Sequence, residues 1–230
     1  INTNYHIANQ PFFDSVEIKG GGDAVSAARA VLQTGEYDFA WNMQVEDEIL
    51  VKLEKDGKGK IAVVQGGNIE HIGVNTTDPW TEVDGERSSL KPKHPVLSDP
   101  AVRKALSVQV DPPKYKSKKT FEYSIEKANK ILDEAGWAKG SDGIRAKDGK
   151  KLKFVFQTSI NAPRQKTQAI IKQACQKAGI DLELKSIVAS VFFSSDVGNP
   201  DTYPKFYTDI QMFTTTQPQP DPHLFLEQFV

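Results

Sequence analysis

The chain has 230 residues with 29 Lys plus Arg against 30 Asp plus Glu, so its net charge of −1 lacks the basic surplus by which nucleic-acid binders meet phosphates. Hydrophobic residues make up 38%, and twelve Phe and three Trp supply large areas for a core. One cysteine, Cys175, excludes an intrachain disulfide, and no apolar run approaches the ~18 residues of a membrane span.

The opening INTNYHIANQ has neither the charged nor the apolar part of a targeting signal. FDSVEIKGGGDAVSAARAVLQTGEYDFAWN then reads as strand, glycine turn, helix and strand. Val16 and Ile18 alternate with polar neighbours, Asp23 caps a helix over 24–33, and Gly35 ends it in a left-handed conformation. The third glycine of a G-x-G-x-x-G cradle would fall at Val25, so the glycine run is a tight turn rather than a pyrophosphate site. VEDEILVKLEKDG is a helix with Ile49, Leu50 and Leu53 on one side; KIAVVQGG and IEHIGVN are strand-like runs. Residues 76–97 form a polar, proline-bearing excursion. It leads into a helix capped by Asp99, with Pro100 in its first turn and Val102, Ala105, Leu106 and Gln109 as its stripe. Pro112 and Pro113 cannot continue that helix.

SIEKANKILDEAGW is a second amphipathic helix, with Ile125, Ala128, Leu132 and Ala135 inward and Gly136 closing it. GIRAKDGKKLKFVFQTS is a hairpin turning at Asp148-Gly149. RQKTQAIIKQACQKAGI is helical, with Ile170, Ile171, Ala174, Cys175 and Ala178 on its buried face, so Cys175 is a small core residue rather than a nucleophile. DLELKSIVA and TDIQMFTTT are strands, and QPQPDP is a stiff connector. Strands and helices alternate through most of the chain, which argues an α/β (mixed α+β) layered fold.

Catalytic patterns are sparse. His6, His71, His94 and His223 share no metal-ligand spacing, and there is no G-x-S-x-G elbow. The carboxylates of VEDEI point to different sides of a helix and read as a solvated face; KYKSKK and KDGKK read as solvated turns. Polar and aromatic residues do gather at strand ends: Trp41 and Asn42, Asn75 and Trp80, the QTSINAPR stretch with Thr158, Asn161 and Arg164, and FTTT with Phe213, Thr214 and Thr215. In layered α/β proteins ligands bind beyond strand ends, so these ten residues are the candidate ligand-binding set.

The ordered blocks FFDSVEIKGGGDAVSAARAVLQTGEYDFAW, SDPAVRKALSVQVD, SIEKANKILDEAGW and APRQKTQAIIKQACQKAGIDLELKS resemble the extracytoplasmic solute-binding proteins of peptide-type ABC importers, the dipeptide/oligopeptide-binding family. The resemblance runs from about Phe12 to Val230 and implies a periplasmic-binding-protein-like, two-lobe protein of which this chain is the middle portion. It implies a partial first lobe with a hinge crossing over 1–75, a second lobe over 76–214 and a return crossing over 215–230. It implies capture of a peptide or related small polar solute in the periplasm, or otherwise outside the cytoplasm. Delivery to an ABC permease follows, with no cofactor, no chemistry on the ligand, no nucleic acid and no membrane span.

Two departures bear on the ligand. Relatives place an aspartate just after the strand matching DIQMF to meet a peptide's amino terminus, whereas this chain reads TTTQPQ with no acid until Asp221. Some use an arginine near QTSINAPR for the carboxylate, and Arg164 is the only one there. An opine or modified peptide fits as well as an ordinary peptide. Relatives also run on past the Val110-Asp111 junction through a further segment, which is expected to be absent here. The alternatives from other classes are a hydrolase using Glu46, Asp47 and Asp201, and an interaction module that has lost binding.

Overall fold

The computed structural model describes residues 4–7, 12–64, 66–109, 123–217 and 221–228. The junction at Val110-Asp111, Pro112, Pro113, the KYKSKK stretch and residues 218–220 of the connector lie outside the described residues. The chain divides into two compact units, Ile1–Val63 and Val64–Val230.

In the first unit Asp23 accepts the Ser26 N–H at 2.9 Å and starts α1 (Ala24–Arg29). The helix widens into a π-type turn over Ala30–Thr34 and stops at Gly35, whose φ of 69° is left-handed as the sequence predicts. Helix α2 (Asp47–Glu54) follows, and Ala28, Leu32, Val45 and Leu53 form a small core. The strands expected around Val16–Ile18, 37–41 and 60–64 do not form: no described residue of this unit belongs to a β-ladder. Val16, Ile18, Phe39, Trp41 and Val63 stay exposed. A strand is stable only when a neighbour takes its backbone hydrogen bonds and an opposing layer covers its apolar face. Among the described residues these runs pair with no ladder, and Val16, Ile18, Phe39, Trp41 and Val63 have no covering layer.

The second unit carries the fold. Strands β1 (Asn68–Val74), β5 (Lys153–Ser159), β6 (Asp181–Ile187) and β7 (Ile210–Thr216) form a sheet in the order β1-β7-β5-β6. Strands β5, β6 and β7 are mutually parallel, and β1 runs antiparallel to β7. Helices α3 (Pro100–Ser107), α4 (Ile125–Glu134) and α5 (Ala162–Lys177) contribute to one core with this sheet: Val102, Ala105, Leu132, Phe154, Phe156, Cys175, Leu182 and Met212 belong to a single buried cluster. Asp99 caps α3 through the Ala101 N–H at 2.8 Å and takes the Trp137 indole N–H at 3.0 Å, locking the end of α4 onto the start of α3.

Small strands β2 (Ala138–Lys139), β3 (Arg145–Lys147) and β4 (Lys150–Lys151) make a separate ribbon. Its turn is at Asp148-Gly149 with φ of 50° and 74°, as the dipeptide predicts. The expected hairpin is shorter than read, because fully buried Leu152 turns the chain into the main sheet. Ile170 is also corrected: it is 68% exposed. The buried face of α5 runs through Arg164, Gln168, Ile171, Ala174 and Cys175, so residue 170 stands a helical step of about 100° off it. A short helix α6 (Ala189–Phe192) follows β6, and α7 (His223–Glu227) closes the described chain.

The start of β7 is held by Asp209, a nearly fully buried carboxylate. Its Oδ1 accepts from His94 Nε2 at 2.9 Å and Trp80 Nε1 at 2.8 Å, and its Oδ2 accepts from the Val155 N–H at 2.6 Å. His94 Nδ1 accepts the N–H groups of Val96 and Leu97 at 3.0 and 2.8 Å, which fixes the ring proton on Nε2. Asp209→Ala strands three donors that each cost about 1–3 kcal/mol when unpaired. Urea denaturation should therefore show a loss of roughly 3–5 kcal/mol, and a loss under 1 kcal/mol would refute the role given to this carboxylate.

Cys175 is sealed in the core, and burial pushes its thiol up to about 12. Folded protein should leave an aromatic disulfide reagent unreacted at pH 8, and one thiol should titrate once denaturant is added.

Candidate ligand-binding site

Because β5, β6 and β7 are parallel, their C-terminal ends share one edge of the sheet, and antiparallel β1 begins there. Open α/β sheets bind ligands at this edge. Helix α5 starts directly beyond β5: the Asn161 side chain accepts the Arg164 N–H at 3.1 Å, capping sixteen residues of helix whose positive end faces the edge.

Arg164 folds back from this first turn and is 7% exposed at its side chain. Its Nε donates to Glu70 Oε1 at 2.8 Å and its Nη2 to Glu70 Oε2 at 3.1 Å, a bidentate pair. Nη2 also donates to Thr214 Oγ1 at 3.0 Å, and Nη1 to Ser159 Oγ at 2.7 Å. The Thr214 hydroxyl donates in turn to Glu70 Oε2. This geometry follows from strand register, since Glu70 stands directly opposite Thr214 across the β1–β7 ladder.

A row of aromatic rings starts next to Arg164 at Phe193 and leads to Phe213 and His71, which point to the face of the β1–β7 ladder opposite Thr214 and Glu70. The Arg164 guanidinium lies 5.9 Å from the Phe193 ring, Phe193 is 5.9 Å from Tyr203, Tyr203 is 4.9 Å from Phe213, and Phe213 meets His71 edge-on at 4.5 Å. Phe193 and Tyr203 are exposed, as are Ile160 and Val188, which follow β5 and β6. The edge thus offers apolar surface around a few fixed polar groups, the usual make-up of a small-molecule site.

Of the sequence-predicted residues, Asn161, Arg164, Phe213, Thr214 and Thr215 lie at this edge; the Thr215 hydroxyl contacts Gln228 Oε1 at 3.4 Å. Thr158 lies beside them but is completely buried, its hydroxyl donating to the Met212 carbonyl at 2.6 Å. Asn75 and Trp80 belong to the opposite end of the sheet. The Asn75 amide donates to Ser88 Oγ and to the carbonyls of Phe206 and Thr208, and its oxygen accepts from Thr77, so it rivets loops together. Trp80 is spent on Asp209 and stacks with Arg87 at 5.1 Å. Trp41 and Asn42 belong to the other compact unit, where Trp41 is exposed and Asn42 is left-handed at φ 56°. Sequence reasoning missed Glu70, Ser159, Phe193 and Tyr203. An acid inside the apolar run NIEHIGV was the available signal for Glu70.

A family model described as "Bacterial extracellular solute-binding proteins, family 5 Middle" matches residues 2–115 and 107–230. The chain belongs to that family. The two matched stretches meet at 107–115, where the sequence reading expects a segment of relatives to be absent. The family 5 chain is 27% identical over 210 residues to the oligopeptide-binding protein AppA of Bacillus subtilis (strain 168), covering 79% of this chain and 35% of AppA. It therefore spans about a third of that relative's length. Among solved structures, NikA from Brucella suis in complex with Fe(III)-EDTA matches with a TM-score of 0.60 at 21% identity, over 89% of this chain and 42% of that one. An ABC transporter substrate-binding protein from Sinorhizobium meliloti matches with a TM-score of 0.54 at 23% identity, over 89% and 42% respectively. These likenesses establish a periplasmic-binding-protein-like fold of mixed α/β type. Among the described residues no helix is long and apolar enough to cross a membrane, and no three His, Cys, Asp or Glu side chains are grouped to hold a metal ion.

If the Arg164–Glu70 pair is as tightly coupled as its geometry indicates, Arg164→Met and Glu70→Leu will not be additive. The cycle read by urea denaturation should give about 1–2 kcal/mol of coupling, because each single variant leaves a charge without its partner.

Proposed function

We propose that this protein is the solute-capturing component of an ABC importer, holding a peptide or related small polar solute outside the cytoplasmic membrane and passing it to a permease without chemistry on it. The family match across nearly the whole chain carries this reading. AppA supports the peptide class by its name, and the sheet edge with its fixed arginine and exposed rings supplies a place for the solute.

The proposed organisation is a partial first lobe over 1–75, a second lobe over 76–214 and a return crossing from 215. Of the proposed return crossing, Thr215 and Thr216 pair with Ile69 and Asn68 of β1, the strand that leads into the other proposed crossing. Segments tied in this way would bend together, which suits closure about a hinge. The hydrolase alternative gains nothing from the side chains it names. Glu46 and Asp47 stand at the start of α2, and the Asp201 carboxylate is taken by Lys185 at 2.7 Å.

The full-length protein, screened by thermal melting against short peptides and amino-acid derivatives, should be stabilised by about 2.7 kcal/mol once a true ligand reaches a hundred times its Kd. Small-angle scattering should report a more compact particle with the same compound. A library in which nothing raises the Tm would defeat the capture role.

A further inference from the structure

The Arg164–Glu70 pair at the sheet edge is closed on itself. Four of the five guanidinium N–H groups are donated: two to Glu70, one to Thr214 and one to Ser159. The arginine side chain is 7% exposed, and its guanidinium carbon lies 5.9 Å from the Phe193 ring. A solute carboxylate seeking Arg164 would have to evict Glu70 from a bidentate fork or sit beside a second negative charge. The carboxylate-binding role that the family resemblance implies for an arginine here is thus taken by the chain's own glutamate. A solute cation gains little from Glu70, because the guanidinium at hydrogen-bond distance cancels most of that carboxylate's field. The pair adds no net charge to the edge.

What the edge exposes beside the pair is hydrocarbon: Ile160, Val188 and Phe193 are half-buried side chains with open surface. Ser159 and Ile187 are the last pair of the β5–β6 ladder. The Ile160 N–H still donates to the Ile187 carbonyl at 2.7 Å, so Ile160 and Val188 continue as neighbours beyond the two strands. Phe193 is set from behind by fully buried Phe192, whose ring meets it edge-on at 4.9 Å. Arg164 ties the set together, touching Ser159 next to Ile160 on one side and the Phe193 ring on the other.

We propose that this edge receives an uncharged apolar side chain of a bound peptide, aromatic or branched aliphatic, on Ile160, Val188 and Phe193, and that Arg164 is closed to the solute. This deepens, and rests on, the reading that the sheet edge is the solute site. Charge decides the occupant. A charged group would shed water against three hydrocarbon surfaces and find no uncompensated partner, whereas an apolar group takes both its own surface and theirs out of water. The outer lone pair of Glu70 Oε1 stays with water or takes an uncharged N–H.

The test is calorimetric titration of full-length protein with Ala-Phe-Ala, Ala-Glu-Ala and Ala-Lys-Ala, which share their termini and differ in the middle side chain. Ala-Phe-Ala should bind roughly tenfold or more tighter than either of the others, the scale of burying one aromatic side chain. Phe193→Ala should remove most of that margin, and Phe193→Leu, which keeps an apolar surface, should preserve part of it. Glu70→Gln should open Arg164 and tighten Ala-Glu-Ala by roughly tenfold, the size expected of one charge-assisted hydrogen bond. The proposal is overturned if a charged tripeptide matches Ala-Phe-Ala on the unaltered protein, or if Phe193→Ala leaves the margin intact. It is equally overturned if Glu70→Gln, shown by its melting temperature to be folded, binds Ala-Glu-Ala no tighter. Failure of all three tripeptides when other solutes in the library bind has the same consequence. A library without any ligand is a different result and sinks the capture role itself.

Discussion

Charge buried at both ends of one central strand governs this structure. A carboxylate or guanidinium taken out of water costs several kcal/mol unless its hydrogen-bonding positions are filled in place. β7 begins at Asp209, which gathers donors from His94, Trp80 and the Val155 backbone, and nears its end at Thr214, which sits inside the Arg164–Glu70 pair. Each set draws on segments far apart in sequence: the 76–97 excursion and β5 at one end, β1 and the start of α5 at the other. The strand can be placed in the sheet only if those segments arrive in register, so electrostatic satisfaction specifies the fold as well as tolerating it.

The two ends nevertheless serve different purposes, and burial separates them. At the Asp209 end the carboxylate and its histidine are both sealed, and every partner is spent on another part of the chain. Asn75 behaves likewise. At the other end the arginine is sealed but its glutamate is not, and exposed rings stand alongside. A polar residue at a strand end therefore says little about ligand binding by itself. What distinguishes a site is a polar group fixed from behind and open in front.

Local structure was legible in the sequence wherever one segment decides it. Caps at Asp23 and Asp99, the left-handed glycines 35 and 136, and the Asp148-Gly149 turn all depend on neighbours within a few residues. The helix cores follow for the same reason, with Ile170 misread because it falls outside the stripe that runs through Gln168, Ile171, Ala174 and Cys175. The strands of the first unit were misread because alternation announces what a segment could do in a sheet, whereas a ladder needs a second chain segment to complete it. Glu70 was out of reach for a similar reason. Its meaning comes from standing opposite Thr214, 144 residues away, and register over that distance is not written in either strand alone.

That pairing also shows how a charge beside one strand can be supplied by its neighbour. Two hydrogen-bonded antiparallel strands present opposite residues side by side, so a charge needed near Thr214 can be supplied from either strand. In the proposed two-lobe arrangement β1 leads into one crossing and the last residues of β7 into the other. A solute held at this sheet edge, as proposed, would touch segments that lead into both proposed crossings. Differential contact with open and closed states is the requirement for a ligand to shift such an equilibrium. A site at the proposed crossings is placed where the contacts of a solute could differ between those states.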